Sequence, residues 1–91
     1  MQKESTVAQV TLPDGRTLQM RVPMRASEIA AIDGARDAGF VREIAVLYTV
    51  VRGAALDDAS RDIIETLTPQ EVAETLTLWS GATEDDALPP A

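Results

Sequence analysis

The segment Leu12-Pro13-Asp14-Gly15-Arg16 constrains this chain more than any other. Proline presets the backbone for the first corner of a turn, and glycine accepts a left-handed position. Alternating residues flank the segment on both sides, so residues 6–22 read as a β-hairpin. Two loop lengths compete. A three-residue loop with a glycine bulge pairs Leu12 with Arg16, Val10 with Leu18 and Ala8 with Met20. One face then carries Ala8, Val10, Leu12, Leu18, Met20 and Val22. The other carries Gln9, Thr11, Thr17, Gln19 and Arg21, with Val7 as the exception. A two-residue loop would set Val10 against Gln19 and mix the faces, so the hydrophobic pattern selects the bulged hairpin. A lone hairpin is marginal in water, and its apolar face must lie on helices.

The rest of the chain supplies them. Pro23 ends the second strand. Ser27 is a good N-cap with Glu28 in the favourable first turn, and the spacing predicts a helix over 27–38, stopped by Gly39. Ile29 and Ile32 are its apolar anchors, and Gly34 weakens it by about 1 kcal/mol. Residues 40–52 form the strongest segment. Phe40, Ile44, Leu47, Tyr48 and Val51 repeat at helical spacing, Val46 and Val50 lie on the other side, and Gly53 closes the helix. A third helix is expected over about 58–67, capped by Asp57, Asp58 or Ser60 and bearing Ile63, Ile64 and Leu67. Thr68-Pro69-Gln70-Glu71 is a capping box with proline at the first helical position. It opens a fourth helix, 69–80, carrying Val72, Ala73, Leu76 and Trp79 on one stripe and ended by Gly81. Residues 82–91 hold two prolines and three consecutive acids, and are expected to be a disordered acidic tail. The expected fold is α+β: one domain over 1–81, an N-terminal hairpin packed on a bundle of three to four helices.

Composition narrows the function. With 91 residues the chain closes one modest core, and at 3% aromatic content that core is aliphatic. Cysteine and histidine are both absent. Disulfides, thiolate metal sites, cysteine nucleophiles and histidine-based triads are therefore excluded. The single lysine, Lys3, lies near the terminus. No run approaches the ~18 apolar residues of a membrane span. The start MQKESTVAQV has no apolar signal-peptide core, so a cytoplasmic protein is expected.

The net charge is −7, and its distribution says more than its sum. Residues 1–52 are close to neutral at +1, whereas residues 53–91 carry −8. Acidity argues against binding to nucleic-acid phosphates. Asp57, Asp58 and Asp62 have oxygen ligands but neither the alternating spacing nor the central glycine of a calcium loop. They read as helix-start acids. Paired carboxylates need a pocket to become an acid–base pair, and a core of this size offers none that is deep. No catalytic residue, cofactor or metal is therefore expected. Arg16, Arg21 and Arg25 surround the hairpin, either as edge protection or as contacts for an acidic partner. Trp79 suits a packed core or an interface anchor. Val46 and Val50 are covered by the hairpin or bind a partner.

The order of these signals resembles the small tail assembly chaperones of long-tailed bacteriophages (tail E/41/14 type). The likeness rests on Leu12-Pro13-Asp14-Gly15-Arg16-Thr17-Leu18 leading into Arg21-Val22-Pro23, then Ser27-Glu28-Ile29, then Glu43-Ile44-Ala45-Val46-Leu47 reaching Gly53. Two helices split by Leu67-Thr68-Pro69-Gln70-Glu71 follow, so that it spans roughly residues 7–81. One arginine precedes the valine–proline step where the family often has two, and the last helices are unusually acidic. The resemblance implies a non-enzymatic protein that binds the helical tape measure protein, keeps it soluble, helps tail tube subunits assemble around it and is absent from the mature virion. On that expectation Val46, Val50, Tyr48, Trp79 and Arg21 are the candidate partner-binding residues, with residues 40–52 and the apolar edge of the hairpin forming the surface. The alternatives are an acidic inhibitor mimicking nucleic acid, which would bind a DNA-handling enzyme in a salt-sensitive way, and a small antitoxin or adaptor. Oligomeric state stays open.

Overall fold

Two strands and four helices follow one another along residues 6–87, the part of the chain that the computed structural model describes. They are β1 (Thr6–Thr11), β2 (Thr17–Val22), α1 (Ala26–Ala35), α2 (Phe40–Ala54), α3 (Asp58–Glu65) and α4 (Pro69–Ala87). An antiparallel hairpin lying on helices is the α+β architecture that the sequence pattern requires.

The hairpin has the bulged register, with Ala8 opposite Met20, Gln9 opposite Gln19 and Val10 opposite Leu18. Its turn closes through the Leu12 N–H, which donates to the Arg16 carbonyl at 2.8 Å, and the Gly15 N–H, which donates to the Leu12 carbonyl at 2.9 Å. Gly15 sits at φ +98°, a conformation that side chains rarely adopt. Asp14 accepts from the Arg16 N–H at 3.0 Å, and this bond holds its carboxyl below the usual carboxylate range. The alternation then does its work: Val10, Leu12, Leu18, Met20 and Val22 are buried, while Val7 is exposed.

These side chains meet Val51 and Ala54 of α2, Ile64 of α3 and Trp79 of α4 in one core. Burial of each large apolar side chain contributes about 1.5–3 kcal/mol. The outer side of β2 is tied to the helices by hydrogen bonds as well. The Gln19 N–H donates to the Ser60 hydroxyl at 2.9 Å, and the Leu56 N–H donates to the Gln19 carbonyl at 3.0 Å. At the turn, the Arg16 guanidinium reaches Thr66 Oγ1 and Glu71 Oε2, each at 3.2 Å. The hairpin is thus clamped to the α3–α4 junction.

Helix starts follow the sequence in α3 and α4, although α3 ends at Glu65 and not at residue 67. Asp57 caps α3 by accepting from the Ser60 N–H at 2.8 Å. Thr68 and Glu71 exchange both capping-box bonds, at 2.9 and 3.2 Å. Five expectations are corrected. The N-cap of α1 is Arg25 rather than Ser27, because the Glu28 carboxylate reaches back to the Arg25 N–H at 2.7 Å. Helix α1 ends at Ala35, so Gly39, at φ +94°, precedes α2 as its N-cap and does not close α1. Gly53 and Gly81 lie inside helices. α2 ends instead where Ala55 turns extended and bridges to Met20. α4 runs on to Ala87, since one helical glycine costs only about 1 kcal/mol. Residues 82–87, expected in a disordered tail, are helical; residues 88–91 lie outside the described part.

No helix among the described residues is long and apolar enough to cross a membrane.

Candidate functional site

The five candidate binding residues do not share one surface. Trp79 is fully buried and donates its indole N–H to the Arg21 carbonyl at 2.7 Å. The Arg21 guanidinium, nearly buried, pairs with Glu28 and donates to the Pro23 carbonyl at 3.1 Å. Both residues hold β2 to its neighbours. Tyr48 and Val50 pack against the core, and Val46 is half-buried on α2. The apolar face of the hairpin is covered by helices, which removes it from any contact surface.

The exposed apolar side chains lie elsewhere. Phe40 and Val41, at the start of α2, are 66% and 80% exposed, and Ile29 on α1 is 54% exposed. Helix α1 explains the last of these. Among its residues only Ala35 is buried, and Ile29 and Ile32, expected as core anchors, instead line an open groove. Ala26, Ile29, Ala30 and Asp33 recur at helical spacing and form the α1 wall. Ser80 and Thr83 of α4 form the other side, and Met24 is also part of the lining. The groove encloses about 650 Å³. It is largely apolar, with the Asp33–Arg36 pair, 3.8 Å apart and well exposed, among its polar lining. The Thr83 hydroxyl oxygen is shielded from solvent with no hydrogen-bond partner among the described residues. A groove between two helices, with small and branched apolar side chains on its wall, suits the apolar stripe of an incoming helix.

The acidic candidates resolve into local structure. Asp57 caps α3, and its bonds to Ser60 lower its pKa; Asp58 pairs with Arg61 at 2.6 Å; Asp62 is exposed. Among the described residues, no group of three or more acidic side chains converges as a metal site would require. Arg52 meets Glu65 at 2.9 Å beside Tyr48, and this contact raises the arginine pKa.

Sequence reasoning missed the α1 groove because the apolar residues of α1 are spread around the helix and single out no one face. Ala26, Ile29, Ala30 and Asp33 share one face by spacing, but nothing local says what that face meets.

No family model, curated protein or solved structure matches this chain.

Proposed function

We propose that this protein is a non-enzymatic binding protein of the phage tail assembly chaperone kind, and that its client is the long helical tape measure protein. The observation that carries the reading is the α1–α4 groove, whose exposed stripe on α1 repeats at the spacing of a helix-binding wall. A long helix with bare apolar surface aggregates alone. A small partner keeps it dissolved by covering that surface with an apolar groove and by adding net charge of one sign. This chain combines such a groove with a charge of −7 concentrated after residue 52. The order of its sequence signals, from the Pro-Asp-Gly hairpin to the Thr68 capping box, supports the same reading. On this proposal it works in the bacterial host cytoplasm, passes its client to tail tube subunits and leaves before the virion matures.

The experiment is co-expression with a long helical tape measure protein. The expected result is transfer of that protein from the insoluble to the soluble fraction, in a complex with this chain. No gain in solubility overturns the proposal.

A further inference from the structure

The two edges of the sheet are treated differently. On β2, the outward-facing backbone groups are used: Gln19 accepts from Leu56 and donates to Ser60, and the Arg21 carbonyl accepts from Trp79. Gln9 stands opposite Gln19 and Val7 opposite Arg21, so in an antiparallel ladder they point the other way, as does Thr11. The N–H and C=O groups of Val7, Gln9 and Thr11 therefore form the outer edge of β1. They have no hydrogen-bond partner among the described residues. Natural edge strands are usually blunted by charge, proline or a bulge. The β1 sequence TVAQVT has neither charge nor proline, and its register with β2 is unbroken.

We infer that this edge pairs with a second copy of the same chain, β1 against β1 in antiparallel register about a two-fold axis through Gln9. Three properties of the strand select that occupant. First, pairing Gln9 with Gln9 sets Val7 opposite Thr11 on both sides of the axis. The open groups of one copy then meet those of the other, giving six backbone hydrogen bonds with none left over. Second, the same register sets Ala8 opposite Val10, so the helix-covered face of one sheet continues into the other and four strands share one apolar side. Third, an uncharged strand opposes no like charges when it meets itself. The flanks fit this geometry. Val7 is exposed on β1.

The test is sedimentation of the full chain from micromolar to millimolar concentration. The expected result is a reversible species of twice the 9.8 kDa of one chain. Gln9→Pro removes an outward N–H without touching the ladder to β2, and should weaken the dimer about tenfold or more with the circular dichroism unchanged. Gln9→Lys and Gln9→Glu should each be monomeric alone and form a heterodimer when mixed. A wild-type chain that stays monomeric throughout overturns the inference. So does a dimer indifferent to Gln9→Pro, or a pair of charge variants that fails to associate.

Discussion

The indole N–H of Trp79 donates to the backbone carbonyl of Arg21, 2.7 Å away and 58 residues earlier in the chain. That bond joins the far end of β2 to the middle of α4. It makes one side chain both the largest member of the core and the partner of a strand-edge carbonyl. Trp79→Phe should keep the fold and lose about 1–3 kcal/mol, because the carbonyl is left without its donor. Trp79→Ala should lose about 3–5 kcal/mol, a large share of the stability of a domain this small. Urea unfolding checks both, with far-ultraviolet circular dichroism as the probe. In the wild type the same transition should appear as a red shift of the emission of this sole tryptophan.

Ser60 is a buried polar residue whose hydroxyl accepts from the Gln19 N–H at 2.9 Å. Ser60→Ala should cost about 1–3 kcal/mol, since it leaves a backbone donor of β2 unpaired while the Asp57 cap persists. Hydrogen exchange at the Gln19 amide should accelerate more than exchange at Leu18, whose N–H faces β1.

Gly15 occupies a left-handed turn position at φ +98°, with open space where a side chain would project. Its intolerance of substitution is therefore conformational and not steric. Gly15→Ala should destabilise by about 1 kcal/mol, and Gly81→Ala, inside α4, should stabilise by a similar amount. Thermal midpoints moving in opposite directions would check the pair.

Asp57 and Asp14 have pKa values lowered from 3.8, the first by its bonds to Ser60 and the second by its bonds to Arg16. Groups depressed on folding contribute stability that is present above their unfolded value and lost as pH falls through the folded one. The chain should therefore lose stability on the acid side, below about pH 4. Asp57→Asn keeps a capping oxygen and removes the titration. Its stability should match the wild type near neutrality and fall less steeply in acid, as urea midpoints across pH would show.

Much of this architecture is legible in the chain, for reasons that differ by element. The hairpin register follows from a period-two pattern that only one loop length satisfies, and the start of α4 from two capping bonds set by Thr68 and Glu71. The environment of α1 is not legible. Ile29 and Ile32 look like anchors, yet nothing local says whether they face a core or a groove. Nor does a local signal show that Ser60 is buried against a strand edge 41 residues away. Gly81 reads as a stop because glycine often ends helices, but its cost is small beside the packing of Trp79 on one side of it. The surface proposed for the client is accordingly the wall that α1 presents to α4.

The central claim is that this wall holds a helical client, and solubility of the client with groove variants tests it most directly. Ile29→Glu combined with Ala30→Glu places two charges on exposed positions of α1, so the fold should survive, with Trp79 emission unchanged. The account predicts that wild-type protein keeps the co-expressed long helical partner soluble and that the folded double variant leaves it in the pellet. A folded double variant that solubilises the partner as well as the wild type would contradict it.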